Sequence, residues 1–284
     1  MERMNSPPSD SVARAFGLFG EPELLPGGQG RTYAVGNSVV RPEDECDVGA
    51  WTAEVMASLP QKGFRVPRPV PRLDGNGWVV DGWTAWERVP GEHRTWGADW
   101  KTALSVAIRF HDALAAAPRP HTLHQRFGVF AVADRMAWAE SPLPPRGRLA
   151  DVLQQLARQR VAIPEPRQVV HGDMAGNLLW HAELPPAVID MSPYWRPRGL
   201  GAAQLVTDAV LWYGADVTLA DSFLAFEPAH GRQLVLRALI FRLSIDAQLD
   251  AGAAPGVRWD ASQVDWDLQH AAPLAAWATG EAIH

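Results

Sequence analysis

Between residues 22 and 41, short β-rich runs alternate with turn signals: PELL, PGGQG, RTYAV, the pair Gly36-Asn37, then SVVR. This punctuation predicts three antiparallel strands, the last two joined as a hairpin. From residue 47 the spacing changes. Trp51, Val55 and Leu59 recur four apart and Pro60 ends the run, which predicts a short amphipathic helix over 47–59 with Glu54 beside its apolar stripe. WVVDGWTAWERV then repeats the hairpin signal around Asp81-Gly82, so this first part of the chain reads as five strands and one helix.

Past residue 98 the period lengthens. Leu104, Ile108, His111 and Ala115 fall on one line, with Ala103, Ala107, Phe110 and Leu114 beside it, up to Pro118. That predicts a helix with one buried face, on which His111 reads as a satisfied core histidine. Further helices are predicted near 131–140, 147–160, 202–214, 217–226, 230–250 and 263–279, the first two separated by the proline-rich SPLPPRG. Residues 168–190 differ: two apolar strands, VV and LLW, flank a polar loop and read as a strand-loop-strand hairpin, and a turn leads to AVID. No internal repeat emerges at a period of 20–50 residues.

Composition narrows the class. The 284 residues are 47% hydrophobic and 20% charged, with 24 Gly and 24 Pro, as in a globular protein rich in turns. No apolar run approaches the roughly 20 residues of a membrane span, and the first residues lack a signal-peptide core, so a cytoplasmic location is expected. Cys46 stands alone, which excludes an internal disulfide framework. The net charge of -6 argues against nucleic acid or an anionic membrane as partner. Ten acids and four arginines lie in 199–284, so the excess is C-terminal. Such a bias usually marks a solvated surface, and it leaves a cationic small-molecule acceptor open.

The chemistry concentrates in His171-Gly172-Asp173, Asn177 and Asp190, the last closing AVID. In this order the chain resembles the aminoglycoside phosphotransferase family, which has the protein-kinase-like fold. The shortened step from Asp173 to Asn177 and the stretch VIDMSPYWRP resemble in particular a branch of that superfamily with no assigned substrate. The resemblance spans roughly residues 20–215. It implies an α+β, two-lobed fold, with a nucleotide-clamping lobe over 1–92 and a helical catalytic lobe over 93–284. It implies Mg²⁺ and ATP or GTP, and transfer of the γ-phosphoryl group to a small-molecule hydroxyl. Asp173 would address the acceptor, His171 would brace the loop, and Asn177 and Asp190 would hold the metal through oxygen ligands.

The resemblance also places the nucleotide. Gly27, Gly28 and Gly30 correspond to the glycine turn over the phosphates, Arg41 to the phosphate-contacting cation, and Glu54 to its helix-borne partner. Glu87 and Val89, within Trp86 to Val89, correspond to the interlobe backbone that binds a purine edge. Asp208 corresponds to an acid that braces the catalytic loop. The individual residues have ordinary uses too: Asp and Asn favour turns, GGxG is often only a tight turn, and Arg41 and Glu54 could be a surface ion pair. Two other functions stay open, a kinase-fold protein that binds nucleotide or metabolite without transfer, and nucleotidyl transfer on the same fold.

Overall fold

The computed structural model describes residues 6–26, 30–254 and 259–280. Its first half is a five-stranded antiparallel sheet in the order β1-β2-β3-β5-β4, with β1 Glu23–Leu24, β2 Tyr33–Val35, β3 Ser38–Pro42, β4 Val79–Val80 and β5 Trp83–Glu87. The two predicted hairpins form with different turn chemistry. In the β2–β3 turn Gly36 takes the positive φ (58°), whereas in the β4–β5 turn both Asp81 (48°) and Gly82 (83°) do. Both arrangements match the right-handed twist of the strands they join.

Alternation along the strands buries both faces of the sheet. Val40 and Ala85, paired across β3 and β5, pack with Val12 of α1 (Asp10–Ala15) and with Phe16, which ends that helix. Trp86, on the opposite face, joins Ala53 and Met56 of α2 (Cys46–Ser58). Helix α1 has too few residues for a periodic signal, and the sequence pattern did not predict it. It is capped by Ser9, whose hydroxyl accepts the Val12 N–H at 3.4 Å.

The second half is mainly helical: α3 Trp100–Ala113, α4 Val129–Ala137, α5 Ala150–Arg158, α6 Gly199–Trp212, α7 Thr218–Phe226, α8 Gly231–Asp250 and α9 Ser262–Thr279. Each corresponds to a predicted helix. Residues 199–211 of α6 are all buried, and α8 is buried along most of its length, so these two form the centre of the helical core. The other strands are β6 Glu92–His93, β7 Arg167–His171, β8 Leu178–Trp180, β9 Ala187–Val188 and β10 Pro193–Pro197.

One local expectation changes. The strands around the polar loop do not pair with each other: β7 pairs with β10, while β8 lies between β6 and β9. The loop 172–177 therefore connects two small sheets rather than capping one hairpin. Local apolar patterning marks strands but does not choose between near and distant partners.

Candidate active site

His171, at the end of β7, organises the loop that follows it. Its Nδ1 accepts the N–H groups of Asp173 (3.1 Å) and Ser192 (3.4 Å), so the ring proton sits on Nε2 and is donated to the Ile189 carbonyl (3.1 Å). Its own N–H is donated to Nε2 of His111 at 3.0 Å, and His111 in turn gives its Nδ1 proton to the Ala107 carbonyl. Burial holds both imidazoles below the usual histidine range, His111 down to about 3. Two glycines make room for this scaffold. A Cβ on Gly201 would lie 2.1 Å from His111 Nε2, and one on Gly172 would lie 2.3 Å from the Tyr194 ring.

Asp173 emerges from the scaffold with its side chain 51% exposed. Behind it stands Arg242 of α8, only 5% exposed, which donates to Asp173 Oδ1 at 3.0 Å and to the Gly172 carbonyl at 3.2 Å. The same guanidinium forks onto Asp208 of α6. Burial pushes Asp208 up to about 6 against the pull of Arg242. Burial also opposes charge on Arg242, but Asp208 and Asp173 outweigh it and raise its pKa. Asp208 thus acts on the loop through Arg242, a residue outside the sequence resemblance. Its sequence signal was an arginine inside the strongly apolar run LVLRALIFRLSI.

The shortened step closes as a turn, with the Asn177 N–H on the Met174 carbonyl at 2.9 Å. The Asn177 amide nitrogen bonds the Asp173 carbonyl (2.7 Å) and Asp173 Oδ2 (3.1 Å), which leaves its Oδ1 uncommitted among the described residues. The Asn177 backbone carbonyl accepts the Ile189 N–H at 3.0 Å, so the residue before Asp190 is tied to it. Asp190 has φ 51°, a left-handed conformation uncommon outside glycine, and its side chain is 54% exposed. The free amide oxygen of Asn177 and the carboxylate of Asp190 are hard oxygen donors of the kind that suits Mg²⁺.

Arg41 reaches across from β3 to Asp190 and also donates to Glu43 Oε1 at 3.1 Å. This corrects the expected partner. Glu54 instead accepts the indole N–H of Trp78 at 2.8 Å. Glu43 is held in place by the Thr84 hydroxyl (2.6 Å) and lies over Gly49 of α2, where a Cβ would meet its Cγ at 2.6 Å. A single residue, Pro42, separates Arg41 from Glu43 and ends the strand, so the pair resembles an ordinary strand terminus in sequence.

Of the other expected nucleotide contacts, Gly27 and Gly28 lie outside the described residues. Gly30 is described, with φ 70° and no atom of the described residues beyond its chain neighbours within 4 Å of where a Cβ would stand. At the end of β5, the N–H groups of Glu87 and Arg88 go to the carbonyls of Arg68 (2.7 Å) and Asn37 (3.2 Å), and the Val89 N–H has no partner among the described residues. The C-terminal acids divide in two. Asp208, Asp246 and Asp267 are buried, and burial with a hydrogen bond to Asp267 pushes Asp246 up to about 9. Asp267 accepts the indole N–H of Trp212, whose ring lies under Arg242. Part of the acid excess is therefore internal structure behind the loop rather than solvated surface.

Comparison with solved structures supports the architecture. The chain is similar to choline kinase LicA from Streptococcus pneumoniae at 12% identity, with a TM-score of 0.63 and coverage of 94% of this chain and 96% of that one. It is similar to spectinomycin phosphotransferase APH(9)-Ia, solved with ADP and spectinomycin, at 11% identity, TM-score 0.61 and coverage of 95% and 96%. A thermostable mutant of aminoglycoside phosphotransferase APH(4)-Ia, in complex with AMP-PNP and hygromycin B, gives 16% identity, TM-score 0.59 and coverage of 95% and 98%. These likenesses show the kinase-like fold. No curated protein sequence matches the chain. The model of the phosphotransferase enzyme family matches residues 39–191, a stretch that runs from Arg41 through the Asp173 loop to Asp190 and covers more than half of the sequence. The chain belongs to that family.

Proposed function

We propose that this protein is a small-molecule kinase that transfers the γ-phosphoryl group of ATP or GTP to an acceptor hydroxyl. The observation that carries the reading is the convergence of Asp173, Asn177, Asp190 and Arg41, from β3 and from two loops, on one half-exposed place. Their distribution of charge suits phosphoryl transfer, which needs an oriented acceptor and compensation of phosphate charge.

Asn177 and Asp190 would hold Mg²⁺, which when bound compensates the phosphate charge. Arg41, oriented by Glu43, would turn from Asp190 to the phosphates. Gly27, Gly28 and Gly30 would cover those phosphates, and the Glu87 carbonyl and Val89 N–H would take the purine edge. Residues 1–92 thereby clamp the nucleotide, and 93–284 carry the catalytic loop and acceptor site. Asp173 accepts the proton of the acceptor hydroxyl as its oxygen bonds to the γ-phosphorus. The bond from that phosphorus to the β-phosphate oxygen breaks, and the nucleoside diphosphate leaves. Arg242 keeps Asp173 in place through Oδ1, and Oδ2, which accepts the Asn177 amide at 3.1 Å, is the oxygen left for the acceptor proton.

The test is mass spectrometry of a metabolite panel incubated with protein, Mg²⁺ and ATP or GTP. A gain of one phosphoryl group, about 80 Da, on a hydroxylated compound is expected. Nucleotide binding without any transfer would favour a binding protein, and release of pyrophosphate would favour nucleotidyl transfer.

A further inference from the structure

A cavity of about 170 Å³ opens beside β10, bounded by α4 and the segment 119–126. Its wall carries five arginines against two carboxylates, a positive excess in a chain whose net charge is -6. Arg196 and Arg167 account for both acids. Arg196 donates to Asp134 (3.0 Å from Nε) and to Glu140 (2.7 Å), and Arg167 donates to Glu140 at 3.2 Å. Arg126 is also compensated: it donates to Glu45, the N-cap of α2, at 3.0 Å and to the Pro193 carbonyl at 3.1 Å.

Two guanidinium groups remain. Arg135 donates to the Arg126 carbonyl at 3.1 Å, and Arg119 lies over the Trp195 ring at 5.7 Å. Neither forms an ion pair among the described residues. Arginine forks without a carboxylate, set beside an aromatic wall in a concave site, are the donors that recognise a planar or tetrahedral oxyanion. We propose that this cavity binds a small anionic molecule, with its phosphate or carboxylate group held by Arg119 and Arg135 against Trp195 and Tyr194. At about 30 Å³ of liquid volume per water, about 170 Å³ is room enough for such a group.

The site is separate from the loop that carries Asp173 yet adjoins it. Pro193 is the register partner of His171, and Tyr194 lines the cavity while its ring covers Gly172. The anion would therefore sit behind the strand that supports the catalytic loop. Its neighbour Arg126 is the tie from this wall to α2.

Calorimetric titration with inorganic phosphate and, separately, succinate at matched ionic strength tests the proposal on the full chain. Saturable binding of at least one anion to the wild type is expected, weakened about tenfold or more in Arg119→Gln/Arg135→Gln, since each lost bond is charge-assisted. The anion that binds identifies the group as phosphate or carboxylate. Equal binding by the double variant would place the anion elsewhere, for instance among the nucleotide contacts, and would overturn the proposal. Absence of saturable binding of both anions to the wild type would overturn it as well. Should the double variant fail to fold, Arg119→Gln alone serves, because the stacked Arg119 is exposed and makes no ion pair among the described residues. Weaker binding is again the supporting result and unchanged binding the contradicting one.

Discussion

At the scale of single residues, the site depends on side chains whose charge state is set by what surrounds them. Asp173 is expected to be dispensable for folding and needed for turnover. Asp173→Asn should lower phosphoryl transfer about 10²- to 10⁴-fold with an unchanged circular dichroism spectrum, as is typical for loss of acid–base assistance. The histidine pair behind it gives a pH signature. His111 is depressed to about 3 in the fold, below its unfolded value, so its stabilising contribution is complete above about pH 6.5 and is lost as pH falls toward 3. Urea unfolding at about pH 7.5 and pH 5 should show the wild type losing stability, by up to about 1.4 kcal/mol per pH unit per proton. His111→Gln, less stable overall, should lose less over that interval. Parallel losses in the two proteins would argue against a buried neutral His111.

Among the elements, two helices hold the site through contacts that sequence patterns only half disclose. Helix α2 carries Gly49 where a helix would ordinarily gain about 1 kcal/mol from alanine. Here Gly49→Ala would push on Glu43, whose carboxylate is already bound by Arg41 and Thr84. The substitution should therefore fail to stabilise the protein, and it should weaken Mg²⁺-nucleotide binding severalfold by calorimetry. Helix α8 supplies Arg242 between Asp208 and Asp173. Arg242→Met leaves a buried carboxylate uncompensated and should cost about 3–5 kcal/mol in chemical denaturation. In Arg242→Met/Asp208→Asn, with the buried acid neutralised, part of that loss should return.

These contacts also show what could be read from the chain beforehand. Period and punctuation revealed each of the long helices and both hairpins of the large sheet, because those signals are local. The pairing of β7 with β10 and of β8 with β6 was not legible, since it joins segments far apart in sequence. The same holds for the site. His171, Asp173, Asn177 and Asp190 lie within a short stretch and were legible as a group. Glu43 was obscured because Glu54 occupies the position the resemblance implies, and Arg242 because it lies beyond the resemblance on a core helix. Asp208 was legible as a brace, but its route through Arg242 was not.

On the scale of the whole molecule, Arg41 to Asp190 and Arg126 to Glu45 both tie the strand-rich half to the helical half. A nucleotide that binds the folded chain between these halves should raise its melting temperature by mass action, and more with Mg²⁺ than with a chelator present. The most direct test of the proposed division of labour is calorimetry of Mg²⁺ with a non-hydrolysable ATP or GTP analogue on wild type, Asp173→Asn and Asp190→Asn, each shown to be folded. Binding to Asp173→Asn should stay within a few-fold of wild type, and Mg²⁺-dependent binding to Asp190→Asn should be lost. Loss in Asp173→Asn with binding retained in Asp190→Asn would contradict the assignment of these two carboxylates.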